Sequence, residues 1–427
     1  MSEINRRKFI QSTMAVLTGS VVLHTDLKSE VFRKAINFTE SLSQHENSEA
    51  YWELVKTQFP FEDDIYYFNN ASLGPSPEMV RDAAEKFRRT LDSFPSKYMW
   101  GGWAEEKETV REKAARLMGV SPEEIAINHN TTEGMNVIAA SLELEPGDEV
   151  IIANHEHSSG HIPWKYWKET KGIKLVRPTL PILPETPDEI VEVYKKTITP
   201  KTKVISMCHI INTNGMILPV KQVTEYAHSK GILVAVDGAQ SAGMFPFSLR
   251  DFGCDFYAAS SHKWLFSPKG VGIFYAKKDS QKYINPLIVA NGYEDPSIRR
   301  FENYNTRNLP EYLGLGSALD FISLIGPEKI GKRVYELKKY FRERVDERPY
   351  LKIKTPHPNN LSAGITVVEV MGKNVNDVRN QLLEQYKIDC RPMNTHDLNA
   401  LRISLSIFIT QSDIDYLIQS IEKIYNS

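Results

Sequence analysis

The chain has 427 residues, of which 41% are hydrophobic, enough apolar side chain for two or three globular domains. Its formal net charge of −2 gives no reason to expect nucleic-acid binding or electrostatic attachment to a membrane. Cys208, Cys254 and Cys390 have neither metal-site nor disulfide spacing, and no apolar stretch reaches the roughly 18 residues of a membrane-spanning helix.

The N-terminal residues resemble a twin-arginine export signal. The paired arginines of Asn5-Arg6-Arg7-Lys8-Phe9-Ile10 are followed by a moderately apolar segment up to Leu23. We therefore predict a signal over residues 1–25 and export to the periplasm, although no clear cleavage site follows. The alternative is an ordinary basic amphipathic helix on a cytoplasmic protein. Residues 26–50 are polar and charged, which predicts a linker to the folded body.

A turn rich in Asn, Ser, Gly and Pro follows a short strand near residues 66–68. Turn formation alone is enough to explain the segment Asn69-Asn70-Ala71-Ser72-Leu73-Gly74-Pro75. The functional interpretation is that Asn69 and Asn70 face the substrate entrance. Amphipathic helices are predicted next, over residues 77–91 and 105–118.

The next motif places hydroxyl groups at the start of a helix. A short strand over residues 124–128 leads into His129-Asn130-Thr131-Thr132-Glu133-Gly134. Asn130 and Glu133 have capping-box spacing, so a helix is predicted from here to about Leu142. Because hydroxyls and free N–H groups at a helix N-terminus favour an anion, Thr131 and Thr132 predict a phosphate site. Helix capping is the simpler interpretation of the same residues.

Three histidines follow the next predicted strand, which covers residues 149–153. Their spacing is compatible with zinc, yet no cysteine cluster completes a ligand set for His155, His157 and His161. We favour the interpretation without a metal, in which an imidazole at this strand end stacks on a flat heteroaromatic ring.

A further apolar strand over residues 203–209 ends close to Asn212 and Gly215, in a segment with typical turn chemistry. A helix over residues 221–230 then leads to the next strand. Strands that alternate with helices in this way predict a mostly parallel, doubly wound α/β sheet.

The stretch from Gly231 to Tyr275 carries the clearest chemical signal. Two apolar runs, over residues 232–236 and 255–259, end respectively on Asp237 and on Ser260-Ser261-His262-Lys263. An acid and a lysine at consecutive strand ends of an open sheet can face one ligand. Pyridoxal phosphate chemistry needs this pair, because a lysine forms the Schiff base and an acid holds the pyridinium nitrogen. Either residue alone would be explained as a turn former or a solvated lysine.

The pattern changes after Tyr275. A loop-rich segment extends to Pro310, and a long helix then ends at a boundary formed by Gly326-Pro327. The later strands return without regular crossover helices, which predicts a smaller C-terminal α+β domain. We therefore predict a large domain over residues 51–325 and a small domain over residues 326–427.

Together these motifs resemble class V aminotransferase-superfamily enzymes, a group that includes cysteine desulfurases and isopenicillin N epimerases. The resemblance covers the chain from about residue 60 onwards. It rests on Thr-Thr-Glu-Gly opening a helix, Glu-His before Pro-Trp, His-x-x-Asn-x-x-Gly, Val-Asp-Gly-Ala-Gln and Ser-x-His-Lys, in that order. It implies the α/β architecture of PLP-dependent transferase fold type I, with a large doubly wound, mostly parallel sheet domain and a smaller C-terminal α+β domain.

The resemblance also implies a role for each motif residue. Lys263 would form the Schiff base and shuttle a proton at the substrate α-carbon, Asp237 would keep the pyridine nitrogen protonated, and His157 would stack on the ring. Further binding of pyridoxal 5'-phosphate would involve Thr131, Thr132, Asn212, Gln240, Ser260, His262 and Thr306. Of these, Thr306 would reach the site of the partner subunit in a homodimer with shared active sites, next to Asn305 where relatives often have glycine. The substrate would be held by Arg402, which would grip its carboxylate, and by Asn70 and Asn212.

One departure from the superfamily pattern narrows the reaction. Desulfurases need a nucleophilic cysteine shortly before the carboxylate-binding arginine, but residues 390–397 contain no histidine-cysteine-alanine segment. Cys390 falls where a strand should still be running, so it is not expected to carry a persulfide. The helix after Thr306-Arg307-Asn308 is closer to the epimerase-like branch.

We therefore predict an isopenicillin N epimerase-like enzyme that acts at the α-carbon of an amino acid, by epimerisation or by β-elimination with C–S cleavage. An aminotransferase, a cysteine desulfurase and a selenocysteine lyase are the alternatives. A non-catalytic cofactor-binding protein and a metal-dependent enzyme are less favoured, because Asp237 and Lys263 are both present.

Overall fold

The computed structural model describes residues 38, 40–42, 45, 48–62, 64–395 and 398–427. The predicted signal over residues 1–25 lies outside the described residues, as do most of the predicted linker and the last two residues of the 390–397 segment. Within the described part, no helix is both long and apolar enough to cross a bilayer. Phe38 and Leu42, in the predicted linker, are buried, and the Phe38 ring stacks on Phe321.

The helices are α1 (Glu49–Lys56), α2 (Glu78–Ser93), α3 (Pro95–Met99), α4 (Ala104–Met118), α5 (Thr131–Ser141), α6 (Ser158–Lys171), α7 (Pro187–Thr197), α8 (Val220–His228), α9 (Leu249–Phe252), α10 (Leu309–Ile325), α11 (Pro327–Asp346), α12 (Val375–Tyr386) and α13 (Gln411–Asn426). The strands are β1 (Tyr66–Tyr67), β2 (Ile125–Asn128), β3 (Glu149–Ile151), β4 (Lys174–Val176), β5 (Thr202–Cys208), β6 (Leu233–Asp237), β7 (Phe256–Ser260), β8 (Gly272–Ala276), β9 (Leu351–Ile353), β10 (Ile365–Val370), β11 (Ile388–Asp389), β12 (Arg391–Met393) and β13 (Ala400–Ser404).

A seven-stranded sheet forms the centre of the larger part of the molecule, with the strand order β2-β8-β7-β6-β5-β3-β4. The strands from β7 to β4 in this order are parallel, whereas β8 is antiparallel to both of its neighbours. This is the mostly parallel sheet that the alternating pattern predicts.

Alternate side chains of the central strands reach two separate apolar layers. Ile205 and Val234 pack into a layer that includes residues of α7, α8 and α10, while Val204 and Ala235 pack into a layer with α5 and α6. Because successive residues of a strand point to opposite faces, both faces of the sheet are buried. The central strands therefore read as continuous apolar runs, and the doubly wound arrangement is confirmed.

Several elements were not predicted from the sequence. Among them are the short strands β4, β9, β11 and β12 and the helices α6 and α7. Strands of two or three residues show too little periodicity to be recognised. The histidine motif was expected on a strand-end loop, but α6 begins within it, at Ser158, and His161 lies in the first turn of this helix.

The C-terminal part contains a four-stranded antiparallel sheet with the order β12-β13-β10-β9, accompanied by α11, α12 and α13. The N-terminal segment is bound to this part. Glu49 of α1 forms two hydrogen bonds with the Arg333 guanidinium, at 2.7 and 2.8 Å, and Lys56 pairs with Asp413 at 2.7 Å.

The short strands β1 and β11 pair in parallel, so the contact between the N-terminal segment and the C-terminal part extends to the turn that contains Asn69 and Asn70. After β1, the Phe68 carbonyl accepts a hydrogen bond from the Ser404 N–H at 2.9 Å, and the Ser404 hydroxyl accepts one from the Ala71 N–H at 3.1 Å. The Asn-rich turn is thereby held between the two sheets.

Candidate active site

The candidate site lies at the carboxyl ends of β5, β6 and β7. Asp237 is the last residue of β6, and it is paired in register with Cys208 on β5 and Ala258 on β7. Lys263 follows the end of β7 after a turn. Open α/β sheets bind ligands at this edge, and the predicted acid and lysine both lie there.

Asp237 has one carboxylate oxygen occupied and one left over. Its Oδ1 accepts a hydrogen bond from the Ala239 N–H at 3.0 Å, while Oδ2 is buried without a hydrogen-bond partner among the described residues. Burial raises the pKa of Asp237, although the Ala239 N–H and the Lys263 charge act in the opposite direction. A buried acceptor without a partner is costly, so this oxygen is suited to a donor on a ligand.

The Lys263 amine is placed where its charge is disfavoured. Burial lowers its pKa to about 8; the charge of Asp237 opposes this shift, and that of Arg402 adds to it. Gly74 lies against the backbone of Lys263. A Cβ at Gly74 would lie 2.1 Å from the Lys263 carbonyl oxygen. The Asn-rich turn therefore packs directly onto the lysine loop, which explains why a glycine is needed there.

His157 caps α6 and faces the same region. Its Nδ1 lies 2.6 Å from the Ser159 hydroxyl oxygen and accepts the Ser159 N–H at 3.2 Å. Burial lowers the pKa of His157, against the charge of Asp237. The residue is exposed, as stacking on a flat ligand requires.

The predicted phosphate residues form a compact group between α5 and β7. The Ser260 hydroxyl accepts the Thr131 N–H at 2.9 Å, and the Thr131 hydroxyl accepts the Ser260 N–H at 2.8 Å. The Asn130 side chain caps α5 by accepting the Glu133 N–H at 3.0 Å. Thr131 and Ser260 are thus buried and bound to each other, while Thr132 stays at the first turn of the helix. Burial lowers the pKa of His262 to about 4, so its imidazole is neutral at pH 7.

Gln240 and Asn212, predicted to approach the ring hydroxyl, have structural contacts of their own. The Gln240 amide donates to the Ala71 carbonyl at 2.8 Å and accepts the indole N–H of Trp264 at 3.1 Å. The carbonyl oxygen of Asn212 accepts a hydrogen bond from Arg402 at 2.9 Å. Gln240 therefore connects three segments that carry site residues.

Asn70 is completely buried, whereas a residue at the substrate entrance was expected to be open to solvent. Neither atom of its side-chain amide has a hydrogen-bond partner among the described residues. The Asn69 side-chain amide donates a hydrogen bond to the Asp389 carboxylate at 3.0 Å, and its side-chain oxygen Oδ1 also has no hydrogen-bond partner among the described residues. Such polar atoms are normally satisfied, so the turn offers hydrogen bonds to a ligand from inside the protein.

Arg402 is the predicted carboxylate clamp, and it lies on β13 with only 2% of its surface exposed. Its guanidinium donates to the Ser72 hydroxyl at 2.6 Å as well as to Asn212, while Nε has no described partner. Burial lowers its pKa to about 9, and the neighbouring charge of Arg391 acts in the same direction.

Three residues at this site were not predicted from the sequence: Ser72, Glu156 and Arg391. Arg391 faces Arg402 across β12 and β13 and also contacts Ser72. Glu156 is adjacent to His157 in the Glu-His motif, and its carboxylate lies close to Asp237. The motif was visible in the sequence, but which of its side chains turns towards Asp237 depends on the start of α6.

Thr306 is exposed in the segment before α10, and the structure shows no contact between it and the residues described above. Asn305 has φ = 58°, in the left-handed region that glycine adopts freely and that asparagine tolerates better than most residues. The asparagine therefore keeps the backbone shape expected of a glycine at this position.

The cysteines and the histidine motif have other surroundings than metal ligands in the part of the chain that the structure describes. All three cysteines are buried, and burial raises the pKa of Cys390 to about 12. No group of three His, Cys, Asp or Glu side chains converges as metal ligands in the part of the chain that the structure describes. His161 instead lies 3.3 Å from a guanidinium nitrogen of Arg177.

Comparison with known proteins gives consistent matches over most of the chain. The family model described as "Aminotransferase class-V" matches residues 65–417. Isopenicillin N epimerase of Streptomyces clavuligerus is 29% identical over 392 residues, which cover 88% of this chain and 98% of that protein. A probable cysteine desulfurase of Halalkalibacterium halodurans is 31% identical over 401 residues, covering 86% of this chain and 97% of that protein.

A solved structure shares the fold. The cysteine desulfurase CsdA from Escherichia coli superposes with a TM-score of 0.76 at 24% identity, covering 88% of this chain and 98% of that one. At this identity the likeness shows the architecture, and it agrees with the large parallel sheet and the smaller antiparallel one.

Proposed function

This chain belongs to the class V aminotransferase family, and from that premise we propose that it acts at the α-carbon of an amino-acid substrate, by epimerisation or by β-elimination with cleavage of a C–S bond. It is a pyridoxal phosphate-dependent enzyme of fold type I, as the sequence motifs predict. The single observation that carries the proposal is that Lys263, whose pKa is lowered, lies within the charge field of the buried Asp237 carboxylate, one oxygen of which has no described partner.

The residues at the strand ends fit this cofactor. The free Oδ2 of Asp237 is a buried acceptor that needs a donor, and a protonated pyridine nitrogen is one. Pyridoxal phosphate, when bound, supplies an aldehyde that condenses with amines and a ring that withdraws electrons from the α-carbon. A carboxylate at Asp237 would keep the ring nitrogen positively charged, while Lys263 would hold the aldehyde end.

The other polar groups would orient the two reactants. His157 would stack on the ring, and Thr132 at the first turn of α5 would bind the phosphate at the helix N-terminus. Arg402 would bind the substrate carboxylate with two parallel hydrogen bonds. The Lys263 amine would take the α-proton and return it, and its lowered pKa makes the neutral, basic form more abundant near neutral pH than in an ordinary lysine.

A desulfurase is less well supported than an epimerase or a lyase. A desulfurase needs a thiolate that can reach the substrate sulfur, yet Cys208, Cys254 and Cys390 are all buried. Burial also raises the pKa of Cys390 to about 12, which keeps its thiol protonated. Transamination remains the alternative, since it begins with the same removal of the α-proton.

The decisive experiment is a substrate screen with purified protein loaded with pyridoxal phosphate. L- and D-amino acids and cysteine conjugates would be tested for racemisation, keto-acid formation and sulfide or thiol release in parallel. We expect racemisation or C–S cleavage that disappears in Lys263→Ala. Keto-acid formation without thiol or ammonia release, with the amino group transferred to an added keto acid, would assign transamination instead, because β-elimination also gives a keto acid but releases ammonia. Full turnover by Lys263→Ala would contradict the role of the lysine.

The proposal also includes a homodimer and export by the twin-arginine pathway. A dimer is supported by the exposed apolar side chains of Leu287, Ile288 and Val289, close in sequence to Thr306, which would reach the partner's site. Light scattering of the purified protein would give its mass. Export is supported by Asn5-Arg6-Arg7-Lys8-Phe9-Ile10 alone, and the location of a reporter fused after residue 50, with and without Arg6→Lys and Arg7→Lys, would test it.

A further inference from the structure

Glu156 carries a carboxyl group that the proposed reaction does not use. Its Oε1 accepts the Cys208 N–H at the end of β5, with an N···O distance of 2.7 Å. Its Oε2 is buried and has no hydrogen-bond partner among the described residues. A carboxylate is costly in such a place, because burial without compensating donors disfavours the charged form.

The unpartnered oxygen of Glu156 and that of Asp237 face one another across a glycine. A Cβ on Gly160 would lie 3.3 Å from Glu156 Oε2 and 3.6 Å from Asp237 Oδ2. Glycine at this position of α6 leaves room for both carboxyl groups to approach the same point. The two acids therefore form a pair at the edge of the sheet.

The groups that surround the pair decide which acid keeps a proton. Asp237 accepts the Ala239 N–H and is close to the Lys263 and His157 charges, all of which favour its ionised form. The ionised form of Glu156 is favoured only by the N–H and the thiol of Cys208, which donate to it, and by the guanidinium of exposed Arg177. The phenol of Tyr194 adds no positive charge. Burial and the neighbouring charge of Asp237 raise the pKa of Glu156 to about 8.

Two carboxylates that share a buried site rarely ionise together, and the pair then holds one proton. We propose that Glu156 holds this proton and, as a neutral acid, is a positioning residue that leaves Asp237 as the single negative charge facing the pyridine nitrogen. The part of this inference that concerns the pyridine nitrogen rests on the proposed function. The position of the proton does not, because it follows from the protein groups alone.

The first test is an infrared titration of the cofactor-free protein. A neutral carboxylic acid has a C=O stretching band that is distinct from the bands of carboxylates and amides. We expect one such band from a buried acid at pH 7, disappearing as the pH rises through about 8. Glu156→Gln should lack the band, and it keeps an oxygen for the Cys208 N–H, so the fold is preserved and can be checked by circular dichroism.

Two further variants make the assignment specific. Glu169→Gln removes an exposed carboxylate from the same helix, α6, and should leave the band unchanged. Asp237→Asn removes the charge that raises the Glu156 pKa, so the band should persist at acidic pH and disappear at a lower pH than in the wild type. A wild type without the band, a Glu156→Gln protein that keeps it, or an Asp237→Asn protein that loses it at every pH would overturn the inference.

The second test uses the loaded enzyme and its visible absorbance. When the wild type loses the Glu156 proton at alkaline pH, a second negative charge appears beside Asp237 and should shift the absorbance of the bound cofactor. The Glu156→Gln enzyme should lack this step. Identical titrations of the two proteins would contradict a coupling of Glu156 to the ring nitrogen. Failure of both proteins to bind pyridoxal phosphate would instead contradict the proposed function, and the infrared result would still stand.

Discussion

Arg391 and Arg402 lie directly opposite each other on β12 and β13, and both guanidinium groups contact the hydroxyl of Ser72, at 3.4 and 2.6 Å. Opposite residues of an antiparallel pair point to the same face of the sheet, where like charges repel each other. The charge of Arg391 is one of the causes that lower the pKa of Arg402, and no carboxylate of the described residues opposes it. An anion bound between or beside the two guanidinium groups would relieve this repulsion.

The first prediction concerns this arginine pair. Arg402→Lys should raise KM for the amino-acid substrate roughly 10- to 100-fold, because a hydrogen bond to a charged group is worth about 1.5–3 kcal/mol and lysine cannot form the parallel pair. Arg391→Leu should raise KM less, since Arg391 is the more exposed of the two. Steady-state kinetics would measure both effects. Arg344→Lys, which alters a surface ion pair with Asp415, should leave KM unchanged. If it raised KM as much as Arg402→Lys does, the assignment of Arg402 to the substrate carboxylate would be contradicted.

The second prediction is that Lys263→Ala retains the fold and loses turnover by at least about 100-fold, the lower end of the range for a positioned acid or base. It should also lose the visible absorbance of a lysine-bound cofactor. Lys269→Ala is a matched control, because Lys269 is an exposed lysine in the same loop. If both variants lost activity to the same extent, the loop as a whole and not the Lys263 amine would be responsible.

The third prediction follows from the pKa of Lys263. Only a neutral amine can attack an aldehyde, and the lowered pKa means that the neutral form appears as the pH rises through about 8 and not near the usual 10.5. The rate at which the cofactor-free protein binds pyridoxal phosphate should therefore increase with pH around this midpoint. Asp237 raises the Lys263 pKa, so Asp237→Asn should move the midpoint to lower pH. A midpoint that stayed near 10 in stopped-flow absorbance would show that the amine is not desolvated.

The fourth prediction separates structural from chemical roles at Gln240. Gln240→Ala would leave the Ala71 carbonyl and the Trp264 indole N–H buried without partners. We expect the free energy of unfolding to fall by about 1–3 kcal/mol, the cost of an unsatisfied buried group. Urea denaturation would measure this change, with Gln222→Ala on the exposed face of α8 as the control. Unchanged stability together with weaker cofactor binding would assign Gln240 to the ligand alone.

The fifth prediction addresses the cysteines. Because Cys390 is buried and its thiol is protonated, Cys390→Ala should keep turnover within about twofold of the wild type in the substrate screen. Cys254→Ala removes a buried thiol elsewhere and is the control for the effect of lost packing on turnover. A specific loss of sulfide release in Cys390→Ala would restore the desulfurase alternative.

Most strands of the large sheet could be predicted, because apolar runs of sufficient length end on residues with their own signal. The apolar run before Asp237 and the run before Ser260 are long enough to indicate buried strands, and β6 and β7 have nearly the predicted bounds. Sequence motifs also pointed to Asp237, Lys263 and Arg402, and their proposed roles stay predictions. These motifs are local, and local patterns are what a single sequence shows.

The remaining features depend on contacts between distant segments. Nothing near Arg391 indicates that it faces Arg402, because the register of two short strands is set by the fold of the small sheet. Similarly, the proximity of Glu156 and Asp237 depends on where α6 starts and on the absence of a side chain at Gly160. Phe38 and Leu42 were assigned to a polar linker because isolated apolar residues in a charged segment carry no periodicity.

The pairing of β1 with β11 has a consequence for how the protein is made. The residues that follow β1 include Asn69 and Ser72, and their hydrogen-bond partners Asp389 and Arg402 lie more than 300 positions later in the chain. A ribosome therefore has to release nearly the whole polypeptide before this turn can reach its final position against Lys263. During synthesis the seven-stranded sheet can assemble first, and the turn that carries Asn69 and Ser72 joins the candidate site only at the end of translation.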